Sequence, residues 1–530
     1  MTRSKNPRPL ILIRGFGGPD VGDEQASGYQ GFHEGTVYPG RRGENYIYEG
    51  FVLRAMKAHR YRYRDATNVV GYYADEIVAA PDAVGFDESI LTGTVVLDPT
   101  VAARVLADGV AGTMWVYRYY DLRPRTMERF GAGLVRLIEI IAECAAGRGE
   151  RFDGVDIVAH SMGGLVVNAA LQAMAESGRD AGRLVHRIVT LGTPHRGIAF
   201  NLLPRWLGDL IPGVREAADE LASFDPCGTA FLGISSWFDP QRILTVVGTN
   251  YQSYGIRSAT FANRMVSLID QGSLLNRSDG LVKQVAAQLP GSPRTFVHKC
   301  HGGRDSLVSS RETYEIAMRF FHGTHRVCLW LDEAEVSRGG NVFGRSEFYL
   351  GVSIKPLYVD FELFHQSVEA ENCYGPFRSG RLDDPLPGRD VELSRPLAEC
   401  GGQTNVWAGP DRLVWEGWLD ADLAASRDPV FRMDVYVGER DALGIGFSDN
   451  VVFRKQFYVQ ALLDAEPMAL YVHSGEQFLK PSTGLDRLAE SSATAPVQRA
   501  APTGRPGEWT FGTRGTSFAA TWRVALNPDL

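Results

Sequence analysis

The 530-residue chain has no long hydrophobic run, few cysteines and no excess of positive charge, and each absence removes a class of function. A helix needs about 18 consecutive apolar residues to cross a bilayer, and no such stretch occurs, so no transmembrane segment is expected. The apolar stretch behind the basic N-terminus, Leu10 to Ile13, is too short for a signal-peptide core. That pattern points to a cytoplasmic protein and leaves open export by a route that needs no signal. The six cysteines stand at 144, 227, 300, 328, 373 and 400, with no C-x-x-C pair among them. Zinc ribbons and thioredoxin-like motifs are therefore disfavoured, and the density is too low for a secreted disulfide framework. Reduced thiols fit best. Lys and Arg number 55 against 63 Asp and Glu, a net charge of −8 with no long basic run to offset it. A nucleic-acid partner is not expected.

What is present is ordinary for a folded protein: 44% hydrophobic and 22% charged residues, which excludes a largely disordered chain. The length exceeds what one core serves, so at least two domains are expected. Up to about residue 324, short apolar runs alternate with helical patterns. Leu10-Ile-Leu-Ile, Met114-Trp-Val-Tyr, Val155-Asp-Ile-Val, Ile188-Val-Thr-Leu and Ile243-Leu-Thr-Val-Val read as buried strands. Between them Phe130 to Ala146 carries Leu134, Leu137, Ile138 and Ile141 at the spacing of one helix face. Strand–helix alternation implies right-handed crossovers and a mostly parallel sheet, an α/β domain. From His325 the texture changes to alternating strands such as Phe431, Met433, Val435 and Val437, with Tyr358 to Phe364 read as one more. Residues 325–530 are expected to form an all-β, sandwich-like C-terminal domain, with a loose loop from Ala493 to Pro506 before the last strand.

Val155-Asp-Ile-Val-Ala-His-Ser-Met-Gly-Gly-Leu-Val-Val carries the most chemistry. It reads as a strand, a sharp turn at Ser161 and a helix, the form of a nucleophile elbow with small residues, Ala159 and Gly163, on either side. The helix N-terminus aims free N–H groups at a developing oxyanion, which makes Met162 one candidate donor. Ile11-Leu-Ile-Arg-Gly-Phe-Gly-Gly ends an early strand in a glycine-rich loop and offers Phe16 as the second. Asp279 in Ser278-Asp-Gly-Leu-Val and His301 in Thr295-Phe-Val-His-Lys-Cys-His-Gly-Gly complete the order Ser, Asp, His. His298 competes with His301 for the role of base. It falls within the apparent strand Thr295–Lys299, however, whereas His301 follows it on a loop. Asp305 lies too near the histidine to be the acid, and Asp270 lacks the Asp-Gly-Leu-Val context.

Residues 10–324 resemble the α/β-hydrolase superfamily, and within it the triacylglycerol-lipase and lecithin–cholesterol acyltransferase-like branch. The motifs that carry the likeness are Val158-Ala-His-Ser-Met-Gly-Gly, Leu191-Gly-Thr-Pro-His-Arg-Gly, Asp279-Gly-Leu-Val and Tyr120-Asp-Leu-Arg. The chain departs from the pattern at Arg14, where the family has His before Gly, at Ala159 for Gly, and at Leu122 for Trp. The resemblance implies an α/β-hydrolase fold over 1–324, with an insertion at 19–110 and a cap or lid at 198–240. It also implies a serine hydrolase acting on esters, with Ser161 as nucleophile, His301 as base and Asp279 as its orienting acid. His195 fits packing or hydrogen bonding rather than catalysis. In the cap, Leu203, Trp206, Leu207 and Leu210 repeat at helical spacing and are candidates to line an acyl site.

Covalent acyl transfer needs no metal or organic cofactor, and none is expected. The expected partner is a small-molecule or lipid ester, with peripheral contact to a lipid surface compatible with the apolar cap. Two other readings stay open: a non-catalytic binding protein on a hydrolase scaffold, and an acyltransferase, amidase or thioesterase using the same three residues.

Overall fold

Four apolar residues in succession can all be buried only where both faces of a strand are covered. The first strand, Leu10–Ile13 (β1), is buried at every position. The computed structural model of the chain describes residues 7–15, 32, 50–58, 61, 66–69, 109–117, 119, 126–195, 234–251, 278–284, 286–289, 291–303, 305–337, 346–367, 369–382, 412–423, 428–441, 450–474, 489–490 and 497–529. The chain divides into two compact units, Met1–Ser292 with Lys299–Tyr314, and Pro293–His298 with Glu315–Leu530.

In the first unit β1 is followed by Phe51–Lys57 (α1), Ala66–Val69 (β2), Met114–Tyr117 (β3), Met127–Gly147 (α2), Val155–His160 (β4) and Met162–Glu176 (α3). Then come Ala181–Leu184 (α4), Val185–Leu191 (β5), Ile234–Trp237 (α5) and Ile243–Gly248 (β6). Six strands run in the order β2-β3-β1-β4-β5-β6, with parallel registers throughout. The chain leaves β1 toward one edge and β4 toward the other, so a topological switch point lies between their carboxyl ends. α2 begins at Met127, a turn before the sequence pattern suggests, where Thr126 accepts a hydrogen bond from the Arg129 N–H at 3.3 Å. Its face of Phe130, Leu134, Leu137, Ile138 and Ile141 is buried in one cluster with Val166, Val167, Ala170 and Leu171 of α3. Each such side chain contributes about 1.5–3 kcal/mol when removed from water. The segment 19–110 is not wholly an insertion, because α1 and the edge strand β2 come from it.

The second unit opens with Arg294–Val297 (β7) and takes in most of Arg311–His322 (α6). Local packing explains the grouping. Phe296 of β7 lies against Phe364, the Thr295 hydroxyl donates to the Leu363 carbonyl at 2.7 Å, and Phe320 of α6 meets Trp418 edge to face. The later strands are His325–Val336 (β8), Ser346–Pro356 (β9), Phe364–His365 (β10), Tyr374–Phe377 (β11), Gly380–Arg381 (β12), Arg412–Leu419 (β13), Val430–Asp441 (β14) and Asn450–Leu462 (β15). They end with Ala469–His473 (β16), Ala489–Glu490 (β17), Val497–Arg499 (β18), Ala501–Pro502 (β19), Glu508–Arg514 (β20) and Phe518–Pro528 (β21). One sheet has the order β10-β9-β14-β15-β16-β18-β17 with β11 beside β9; the other has β12-β8-β21-β20-β19 with β13 beside β8. Apart from the parallel pair β17–β18, the registered pairs are antiparallel. The sheets meet through Trp415 on Phe431 and Phe453 on Phe518, at ring separations of 5.3 and 4.8 Å.

Two sequence expectations fail here. Tyr358 to Leu363 is not a strand: Tyr358 has φ 64 and is 66% exposed, and only Phe364–His365 pairs with β9. The segment Ala493–Pro506 is not one loose loop, since β18 and β19 lie within it. The described cysteines, Cys144, Cys300, Cys328 and Cys373, are free thiols. Among the described residues no helix is long and apolar enough to cross a membrane.

Candidate active site

The strand β4 is buried throughout and stops at His160, and α3 starts at Met162, so one residue makes the whole turn. That residue is Ser161, with φ 53 and ψ −130. A non-glycine residue in this region costs about 1–3 kcal/mol and persists only where its surroundings impose it. Here the Ser161 N–H donates to the Leu191 carbonyl at 2.9 Å, and the Ser161 carbonyl accepts from Gly164 at 3.1 Å. The end of β1 closes in from the other side of the switch point. A side-chain carbon built on Gly15 would fall 2.3 Å from Ser161 Cβ, 2.7 Å from the His160 carbonyl and 2.9 Å from the Met162 nitrogen. Only glycine lets the backbone after β1 pass this close to the elbow. Met162 N–H stands at the first turn of the 15-residue α3, where helix donors are free and the dipole favours negative charge.

Asp279 and His301 reach this place from distant parts of the chain. Asp279 is 1% exposed, and its Oδ1 accepts from the N–H groups of Leu281 and Val282 at 3.0 and 2.8 Å. Its Oδ2 accepts from His301 Nδ1 at 2.8 Å. An ionised carboxylate can only accept, so the hydrogen sits on Nδ1 and His301 Nε2 is left bare. Ser161 Oγ lies 2.9 Å from that Nε2 and donates to it. Backbone contacts reinforce the side chains: the His301 N–H donates to the Asp279 carbonyl at 2.8 Å. Gly192 at the end of β5 sits beside the pair, with φ 54, and a carbon added there would meet Asp279 Oδ2 at 2.7 Å.

The loop that carries His301 is drawn tight by its own residues. The Cys300 N–H donates to the Asp305 carbonyl at 3.0 Å and the Leu307 N–H to the Cys300 carbonyl at 3.0 Å. Lys299 Nζ pairs with Asp305 at 2.8 Å and lies 3.7 Å from Glu312. Asp305 therefore braces the loop. The Cys300 thiol faces inward, and burial, with Asp305 and Asp279 near it, pushes its pKa up to about 12. It stays protonated. His195 is buried, with Nε2 3.0 Å from the Thr190 hydroxyl, and burial brings its pKa down to about 3.

Two side chains beside this site are not flagged by sequence order: His160, whose Nε2 lies 2.8 Å from the His301 carbonyl, and Lys299. His160 stands inside the motif, but the pattern of small residues around Ser161 says nothing of what occupies that position. His298, the competing base, follows the end of β7 and lies 5.8 Å, ring to ring, from His365 in the second unit. Phe16, the Tyr120–Arg123 motif, and the cap residues Leu203, Trp206, Leu207 and Leu210 lie outside the described residues. Among the described residues, no group of three or more His, Cys, Asp or Glu side chains converges as a metal-binding set.

The profile of a family described as "PGAP1-like alpha/beta domain" matches residues 119–203, a stretch that runs through the elbow. Among curated proteins none matches the chain significantly. Similar solved structures include phospholipase PlaB from Legionella pneumophila in complex with thio-NAD, at 14% identity and TM-score 0.27 over 63% of this chain and 79% of that one. PlaB without that ligand gives 13% identity and TM-score 0.28, over 63% and 80% of the two chains. A protein proposed to be a cell surface hydrolase of Lactobacillus plantarum gives 10% identity and TM-score 0.26, over 59% and 89%. Likenesses this faint assign no substrate. The parallel sheet with the strained turn at its switch point gives the first unit an α/β-hydrolase fold, and the match to the PGAP1-like alpha/beta domain runs through that turn.

Proposed function

We propose that the chain is a serine hydrolase of the lipase and esterase type, cleaving carboxylic esters through an acyl-enzyme. The observation that carries this reading is the line of hydrogen bonds from Ser161 Oγ through both nitrogens of His301 to Asp279, at 2.9 and 2.8 Å. A serine hydroxyl alone is a poor nucleophile at neutral pH, and a base held by an acid is what activates it. Ser161 Oγ would attack the ester carbonyl carbon while its proton passes to His301 Nε2, with Asp279 facing the imidazolium. The carbonyl electron pair would move to oxygen, held by the N–H of Met162 and, on the sequence pattern, that of Phe16. Collapse breaks the bond to the alcohol, which leaves with the proton from His301. Water then gives a proton to His301, attacks the acyl carbon and releases the carboxylic acid, returning the proton to Ser161. Because the base must be neutral, turnover falls toward acid pH.

The test is labelling of the full chain with a fluorophosphonate, with the adduct located by mass spectrometry, beside hydrolysis of p-nitrophenyl esters of graded chain length. An adduct on Ser161 with ester turnover supports the reading; a chain that neither labels nor hydrolyses would be a binding protein on this scaffold. For a lipid ester, turnover should rise with acyl length, and Trp206→Ala should weaken long chains most, since each buried methylene contributes about 0.8 kcal/mol. Product analysis in the presence of added alcohols separates hydrolysis from acyl transfer.

A further inference from the structure

We infer that His160 is a positioning residue for His301, hanging the main chain of the base from the strand that carries the nucleophile. The inference rests on the hydrolase reading of Ser161, His301 and Asp279 and deepens it. His160 is 3% exposed at the carboxyl end of β4, and its Nε2 lies 2.8 Å from the His301 carbonyl, 141 residues along the chain. A carbonyl can only accept, so Nε2 carries the hydrogen and donates it. The N–H of the same residue is held by the Asp279 carbonyl at 2.8 Å. Both backbone groups of His301 are thus occupied, one by the acid and one by the immediate neighbour of Ser161. The two imidazoles lie 4.8 Å apart at 43°, so the His160 ring also limits where the His301 ring can swing.

Two further observations speak against a packing role alone. Val155, Ile157, Val158 and Ala159 of the same strand are apolar and buried, and an apolar residue would fill position 160 without leaving a polar atom dry. The Nδ1 of His160 is buried with no hydrogen-bond partner among the described residues, a destabilising arrangement that an apolar side chain avoids. Burial first, then His301 and Arg14, also hold the His160 pKa well below that of a free imidazole. It therefore stays neutral while His301 takes up the serine proton, and its donor hydrogen remains in place through the cycle.

The experiment compares His160→Gln, His160→Asn and His160→Leu in the full chain, with Ser161→Ala as the inactive reference. The Gln amide nitrogen reaches about as far as Nε2 and keeps the donor; the Asn amide is too short, and Leu has none. Displacing a reacting group by an ångström can cost about a hundredfold. His160→Leu and His160→Asn should therefore lose about 10- to 100-fold in kcat for a p-nitrophenyl ester and in the fluorophosphonate labelling rate, with KM changed less than about twofold. His160→Gln should stay within about threefold of the parent chain in both. Circular dichroism and melting curves check the fold, and if the Leu variant does not fold, the Gln and Asn pair decides alone. Asn activity equal to the parent, or Gln as impaired as Asn, overturns the inference while labelling of the parent leaves the hydrolase reading standing. A parent chain that neither labels nor hydrolyses overturns the hydrolase reading, and this inference with it.

Discussion

Each unit contains a histidine beside a carboxylate and a serine, and the two arrangements differ in one respect that decides what each can do. His301 gives Nδ1 to Asp279 and Nε2 to Ser161, so a proton arriving at one nitrogen is answered by a charge at the other. His365 offers a single nitrogen, Nδ1, to both the Glu362 carboxylate and the Ser353 hydroxyl, which lies 3.2 Å away. That arrangement has no line of transfer. The backbones differ as well. Ser161 occupies a strained turn ahead of a helix, whereas Ser353 sits in β9, paired in register with His365 on β10. Glu362 does electrostatic work instead: burial pushes its pKa up, but His365, Arg432 and Lys355 together draw it below the usual value. Similar groups in contact form a line of hydrogen bonds through both ring nitrogens in one unit and a cluster on a single nitrogen in the other.

The largest expected effect follows from the two serines. Ser161→Ala should abolish labelling and lower ester turnover by about 10⁴- to 10⁶-fold, while Ser353→Ala leaves both unchanged. Comparable losses from the two would erase the distinction. Next come the partners. Asp279→Asn should cost about 10⁴ in kcat by upsetting the tautomer of the base, and His301→Ala at least as much, whereas Glu362→Gln and His298→Ala should be silent. Loss of turnover in His298→Ala, with circular dichroism unchanged, would move the base from residue 301 to 298.

A smaller effect is expected from the loop brace. Lys299→Met leaves Asp305 and Glu312 without their buried cation, and should lower kcat about 5- to 20-fold together with the melting temperature. Unchanged kinetics would mean that the backbone bonds of the loop suffice. The smallest effect concerns the acid stability of the second unit. His473 is buried, stacks on Tyr458, has no hydrogen-bond partner on either ring nitrogen among the described residues, and burial lowers its pKa to about 4. The unfolded chain takes up a proton near pH 6.5 and the folded chain does not, so stability falls with pH from about 6.5 to about 4. Replacing His473 by Phe should reduce the drop in urea midpoint between pH 7 and pH 5; an unchanged drop would assign the acid sensitivity to other groups.

Burial on both faces made β1, β3, β4, β5 and β6 legible, because such strands read as apolar runs that need no pairing information. The elbow was legible for a related reason: close approach of strand, helix and loop demands small residues in a fixed order around Ser161. What sequence could not supply was contact made through the backbone. The His160 bond ends on a carbonyl, which every residue possesses, so nothing in the composition near 301 announces it. β2 was hidden within a polar, tyrosine-rich stretch, and the alternation from Tyr358 to Phe364 imitated a strand although the chain turns at Tyr358. Composition changes near His325, but Phe296 and Phe320 already pack on partners in the second unit.

The left-handed backbone of Ser161 has a last consequence, for the balance between durability and use. Glycine suits φ 53 better than any residue with a side chain, so Ser161→Gly should melt a few degrees higher than the parent while losing all labelling. Serine is the less stable choice at this position, and the hydroxyl is what it brings in return. Among single changes at the elbow, the variant that best resists heat would be an inert one, so a selection for thermal tolerance alone would tend to extinguish the chemistry.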